Sequence, residues 1–236
     1  MDRSYLSQCD ADSIQLQQLL QTALLSVRSP SVSARDHGSG HTEILNLACG
    51  PCREAGALVA SFQNEAGISR RSIRITGADI RAAEIEEARS RAAAFKEGGV
   101  ESEFIVFDCS RLNRLTQLDK AFDFVFLRHQ NYWNAPQLWA RIFEQGLSRL
   151  KEGGILGITS YFDREHDLAI KALKRAGASL LLTVRNPHSR KLPTPGKSVD
   201  RHLALFGIVD EAKPEPGKTL ITPSTTCSQS PSVPLS

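Results

Sequence analysis

Two cysteines three positions apart, Cys49 and Cys52, sit in the segment ILNLACGPCREAG at residues 44–56. Two chemistries compete for it. Cys-Gly-Pro-Cys opening a helix is a redox dithiol, because helix N-terminal amides lower the pKa of one thiol. An apolar run, a tight turn of small residues and an immediate helix-like run is also what a nucleotide-binding strand–loop–helix needs. Ala48, Gly50 and Cys52 take alternate positions of that turn, so the backbone can come within contact distance of a ligand. The amides and dipole of the following helix then favour a negative group such as a carboxylate. Pro51 is tolerated in the turn or at the first helical position. The methyl of Ala48 calls for a negative φ there.

Downstream residues arbitrate. The segment IRITGADI (73–80) ends in Asp79, whose two oxygens can accept from both hydroxyls of a ribose. FIVFDCS (104–110) ends another apolar run in Asp108, placed to accept from an adenine amino group. Each aspartate alone can equally be a helix cap or turn residue. Two acidic strand tips after a small-residue loop favour a nucleoside site. A dinucleotide fingerprint needs glycine at the first, third and sixth turn positions, which here hold Ala48, Gly50 and Arg53. A resemblance of Cys-Gly-Pro-Cys to the thioredoxin family would imply a cis-proline loop about 40 residues downstream, and the chain has no proline between Pro51 and Pro136. A reversible Cys49–Cys52 disulfide is expected to have at most a minor effect. Cys49, Cys52 and Cys109 lack a second ligand pair, so no metal is expected.

Beyond a fourth apolar run lies Arg128-His129-Gln130-Asn131-Tyr132-Trp133. His129 is a candidate base near neutral pH and Tyr132 and Trp133 candidate stacking partners, or the segment simply hydrogen-bonds and packs locally. A second candidate surface is the loop 185–197, which carries Arg185, His188, Arg190, Lys191 and Lys197.

The elements that must position these groups alternate. Apolar runs at 43–47, 72–77, 103–107, 122–127, 155–161, 180–184 and 202–209 read as strands, and 54–65, 82–96, 136–150 and 165–176 as helices. This predicts an α/β fold: a doubly wound seven-stranded sheet, mostly parallel with one antiparallel strand near the C-terminal end, and helices on both faces. Residues 13–27 carry a helical stripe with Ser13 as N-cap, after a polar, uncommitted stretch at 1–12, and 28–41 read as a flexible connector. The predicted organisation is therefore 1–41 as helix and connector, 42–210 as the domain and 211–236 as a disordered tail in which Cys227 is incidental. With 236 residues, 41% hydrophobic, a net charge of +3 and five cysteines, the chain holds one large core without a disulfide framework. No secretory signal or membrane span is legible, so a cytoplasmic protein is expected.

Taken together, NLACGPC, GADI, FDCS, AFDFVFLRH and LSRLKEGGILGITSY resemble, in order and spacing, the motifs of class I (Rossmann-like) S-adenosylmethionine-dependent methyltransferases over residues 42–210. The resemblance implies S-adenosylmethionine as cofactor, held by Asn46, Ala48, Cys49, Gly50, Asp79, Ile80, Asp108, Cys109 and Arg128. His129 and Tyr132 then stand near the transferred methyl group. A small-molecule acceptor is expected, RNA or protein being the alternatives. The chain departs from the family at Asn46 (usually acidic), Ala48 and Cys52 (usually glycine), so a non-catalytic cofactor-binding protein stays open as well.

Overall fold

The computed structural model describes residues 3–27, 41–63, 72–93, 99–118 and 122–208. The predicted connector at 28–40 and the tail with Cys227 lie outside them. The strands are β1 (His41–Leu47), β2 (Ser72–Asp79), β3 (Val100–Val106), β4 (Phe122–Arg128), β5 (Leu150–Ser160), β6 (Ala178–Arg185) and β7 (His202–Ile208). They form one sheet in the order β3-β2-β1-β4-β5-β7-β6. Only β7 runs against its neighbours β5 and β6. The reversed strand is not at the edge: it is wedged between β5 and β6, with Leu203, Ala204, Leu205 and Phe206 wholly buried.

Among the described residues five α-helices cover the sheet: α1 (Arg3–Val27), α2 (Ala55–Gln63), α3 (Ala82–Ala92), α4 (Pro136–Leu147) and α5 (Asp163–Arg175). Because alternate residues of a strand face opposite ways, the central strands feed two cores. Ile44, Phe124 and Phe126 pack with Leu16 and Leu20 of α1, Leu58 of α2 and Ile85 of α3. Leu45, Leu47, Val125 and Leu127 pack with Phe143 of α4 and Leu173 of α5 on the other face. Gly77 of β2 is needed for the fit under the first loop, since a Cβ there would lie 2.5 Å from the Phe104 ring and 3.0 Å from Cys49 Sγ.

The N-terminal helix begins at Arg3, ten residues before the expected cap at Ser13. The apolar stripe marks only the half that packs on the sheet. The half before it is held by polar contact, with both Asp12 oxygens accepting from Arg190 (3.0 and 2.5 Å), and so carries no periodic signal.

At the start of α5 two buried neighbours oppose each other in pH. Burial pushes the Glu165 carboxyl up to about 7, against backbone N–H groups of Tyr161, Phe162 and Tyr132 that favour its charged form. Burial also pushes His166 down to about 4. A raised carboxyl stabilises the fold below its unfolded value and loses that contribution as pH rises to about 7. A depressed histidine does the reverse, losing its contribution as pH falls from 6.5 toward 4. In Glu165→Gln only the histidine effect remains. The stability of the wild type minus that of the variant, from urea unfolding, is therefore expected to be larger at pH 5 than at pH 8. A difference that does not move with pH would sink the assignment.

Candidate functional site

The strand order reverses between β1 and β4, so the connections leaving their C-terminal ends diverge and open a crevice there, the usual ligand site of an open α/β sheet. A cavity of about 980 Å³ occupies it. Its floor is the loop after β1, one wall comes from the tips of β2 and β3, the other from β4 and the β6–β7 loop, and Cys9, Asp12 and Ser13 of α1 roof it.

The loop after β1 is wound left-handed at alternate residues, with φ of +52° at Ala48, +54° at Gly50 and +47° at Cys52. The negative φ expected at Ala48 is thus wrong. The neighbours hold the strained turn: Ala48 N–H donates to Cys109 Sγ (3.3 Å), Cys49 N–H to the Ala78 carbonyl (3.1 Å) and Cys52 N–H to the Cys49 carbonyl (2.9 Å). Ala48 and Cys52 each cost about 1–2 kcal/mol relative to an ordinary turn. The other two non-glycine residues with positive φ among the described residues, His129 and Asp200, also belong to the wall of this cavity or contact it. Such strain gathers where geometry matters more than stability.

Asp79, at the tip of β2, is buried beside this loop. Its Oδ2 accepts from Gly50 N–H (2.8 Å) and its Oδ1 from Arg81 N–H (2.9 Å) and Arg81 Nε (3.0 Å). These donors overcome desolvation and hold the carboxyl below its usual range. Ile80 next to it lines the cavity while 67% exposed, an apolar surface that folding leaves unused. Asp108 accepts from the N–H and hydroxyl of Ser110 (3.0 and 2.7 Å), which lower its pKa and cap the short helix Cys109–Arg114. Burial pushes the Cys109 thiol up to about 12, and the neighbouring Cys52 together with burial raises that of Cys49. Both are inert thiols at neutral pH, the opposite of an activated dithiol.

The far wall is a buried ionic cluster. Arg128 donates to both oxygens of Asp200 (3.1 and 2.6 Å) and stands 3.5 Å from Glu54 Oε2. Thr159 Oγ1 donates to Asp200 Oδ1 at 2.8 Å. His129 Nε2 lies 2.8 Å from that oxygen and 3.1 Å from the Asp200 backbone N–H. A lone pair on Nε2 would face the carboxylate, so the proton sits on Nε2 and the shorter contact is the hydrogen bond. Nδ1 is then the basic nitrogen, and no described residue hydrogen-bonds it. The ring stacks on Tyr161 at 3.7 Å, and desolvation lowers its pKa although Asp200 opposes that shift. Desolvated but paired to Arg128, Asp200 is held far below the usual carboxylate range.

Of the residues expected from sequence, Ala48, Cys49, Gly50, Asp79, Ile80, Asp108, Cys109, Arg128 and His129 line this one cavity. Asn46 and Tyr132 do not. Asn46 is 0% exposed beneath the loop, donating to Glu54 Oε1 (2.6 Å) and Cys52 Sγ (3.1 Å), while its own Oδ1 accepts from no described residue. Such an orphan acceptor costs about 1–3 kcal/mol. Tyr132 packs inward, its ring parallel to Phe143 at 5.9 Å, and Trp133 packs tilted at 54° against Phe162. Sequence reasoning missed Glu54, Arg81, Tyr161 and Asp200, and had Arg190 only within a candidate surface loop. Only Glu54 carried a signal, as the first acidic residue after the loop. The basic loop at 185–197 turns partly inward: Arg190 and Leu192 line the cavity and Lys197 lies 4.3 Å above the Tyr161 ring, while Arg185, His188 and Lys191 are exposed.

Residues 44–154 match the protein-family model described as "Methyltransferase domain". No curated protein matches by sequence. Among solved structures, the fold is similar to magnesium protoporphyrin IX methyltransferase from Synechocystis PCC 6803 with bound SAM (15% identity, 82% of this chain and 80% of that one, TM-score 0.54). It is similar also to the N-methyltransferase NodS from Bradyrhizobium japonicum WM9 (16%, 81% and 95%, 0.51) and to an S-adenosylmethionine-dependent methyltransferase from Clostridium acetobutylicum ATCC 824 (15%, 71% and 84%, 0.51).

Removing the charge of Asp200 leaves Arg128 buried with only the distant Glu54. Asp200→Asn is expected to lower unfolding free energy by about 3–5 kcal/mol, measured in urea. A loss under about 1 kcal/mol would mean that the pair does not organise this wall.

Proposed function

We propose that this cavity binds S-adenosylmethionine and directs its methyl group to a small-molecule acceptor, a reading supported by the match of residues 44–154 to a methyltransferase-domain model and by the fold. The observation that carries the reading is Asp79: a buried carboxylate fixed by the Gly50 N–H, with an exposed isoleucine beside it. That pair fits a nucleoside. The carboxylate accepts from two ribose hydroxyls, the Ile80 side chain covers a flat base, and Arg81, more than half exposed, is a donor that ribose can replace.

Bound there, the cofactor supplies an electrophilic methyl on a sulfonium, and the transfer is an in-line displacement. The protein's share is alignment and water exclusion, with an optional base for the acceptor's proton. His129 suits that part: Asp200 fixes its tautomer, Nδ1 is the open nitrogen, and its lowered pKa keeps it neutral at pH 7. Tyr161, stacked on His129, takes the aromatic place expected for Tyr132. An acceptor of small size is favoured because α1 and the β6–β7 loop roof the cavity. Its lining also sets four carboxylates (Asp12, Glu54, Asp79, Asp108) against four guanidiniums (Arg53, Arg81, Arg128, Arg190). A nucleic-acid surface would be predominantly basic.

Titration with S-adenosylhomocysteine by calorimetry should give saturable binding. Asp79→Ala should weaken it about 100-fold, the worth of two hydrogen bonds to a charged group, with the fold retained. No binding by the wild type at millimolar ligand would sink the cofactor reading. Labelled methyl incorporation from a metabolite extract is expected in the small-molecule fraction. Label in RNA or protein instead would reverse the acceptor class. With an acceptor in hand, His129→Asn should lower kcat about 10²–10⁴-fold without changing S-adenosylhomocysteine affinity. The wild-type rate should fall on acidification only below pH 6.5, the ordinary histidine value, since the shift is downward. A fall centred above that value would remove His129 from the role.

A further inference from the structure

We infer that Glu54 is the carboxylate that holds the cationic amino group of the cofactor's amino-acid end, in place of an acidic residue at Asn46. The inference rests on the cofactor reading and assigns one of its contacts.

Asn46 does not reach the cavity. Its amide is spent on Glu54 Oε1 at 2.6 Å and Cys52 Sγ at 3.1 Å, so its work is to orient Glu54. Glu54, one residue before α2, does line the cavity while only 4% exposed. The charge balance then singles it out. Asp12 is held by both arms of Arg190, Asp79 by Gly50 and Arg81, Asp108 by Ser110 and Arg111. Asp200 takes the two close contacts of Arg128, at 2.6 and 3.1 Å, and leaves Glu54 a single contact at 3.5 Å. With His129 neutral, Glu54, Arg128 and Asp200 together carry one surplus negative charge, and it resides on Glu54. A desolvated, under-neutralised carboxylate opening on a cavity binds a cation, and an ammonium offers it N–H donors as well. The motif is therefore rearranged: the charge has moved from the end of β1 to the start of α2, with the amide and the acid exchanged.

An exchanged pair can be exchanged back. Asn46→Asp alone sets a second carboxylate 2.6 Å from the first, so the two share a proton and the site loses its spare charge. Glu54→Gln alone removes the charge. Asn46→Asp with Glu54→Gln restores one acid and one amide in hydrogen-bond reach.

Calorimetry with two ligands reads this directly: S-adenosylhomocysteine, and 5′-methylthioadenosine, which has the same nucleoside but no amino-acid end. Glu54→Gln is expected to weaken S-adenosylhomocysteine about 10- to 100-fold and leave 5′-methylthioadenosine within about twofold, since one charge-assisted hydrogen bond is lost. The double variant should recover most of that ratio. An unchanged ratio in Glu54→Gln, or a double variant as weak as Glu54→Gln, overturns the assignment while the cofactor reading stands. A wild type that binds neither ligand overturns both. If Asn46→Asp does not fold, Glu54→Gln and the double variant still decide.

Discussion

The bidentate pair between Arg128 and Asp200 joins parts of the chain that share no other reason to meet. Arg128 ends β4, beside the crevice, and Asp200 lies two residues before β7. Burying such a pair against packed apolar surroundings brings little net stability, and burying either member alone is costly. Its consequence is geometric. Asp200 can reach Arg128 because β7 is inserted between β5 and β6, which carries the segment before it up to the cavity. The same segment brings Val199 and, through Arg190 and Asp12, the polar half of α1. Roof and wall of the cavity thus meet at the segment before β7, and His129 contacts the same carboxylate as Arg128.

Strain is concentrated around that arrangement. A left-handed alanine and cysteine in the loop after β1, and a left-handed histidine and aspartate in the opposite wall, are poor choices for stability. Each serves a contact. The loop's winding points the Gly50 N–H at Asp79, and the conformations of His129 and Asp200 bring an imidazole nitrogen against a carboxylate. Ala48 and Cys52 adopt here the left-handed conformation that favours glycine, with Cys109 and Ala78 holding the turn in place.

The strands and the sheet-facing helices were legible because apolar periodicity reports burial, and these elements are buried on a face. The first ten residues of α1 were not, since Asp12 is held by an arginine 178 positions away. The strand-tip acids Asp79 and Asp108 were legible because an acid that ends an apolar run is unusual in itself. Asp200 is the opposite case: VDRH carries no pattern, and its importance comes wholly from the insertion of β7. Tyr132 shows the limit of proximity in sequence. Three residues after His129 the chain has turned, so its ring faces Phe143, and the aromatic against His129 is Tyr161, from the end of β5.

The departures at Asn46 and Cys52 have one physical reading when taken together. An acid at position 46 would confront Glu54 at 2.6 Å with almost no water to separate them. With asparagine there, the contact becomes a hydrogen bond, and the thiol of Cys52 accepts from the same amide at 3.1 Å, a contact glycine lacks. Asn46 and Cys52 therefore support a carboxylate that begins a helix instead of one that ends a strand, while Ala48 keeps only the left-handed turn. The acid, its amide and the thiol acceptor together keep the buried group in place.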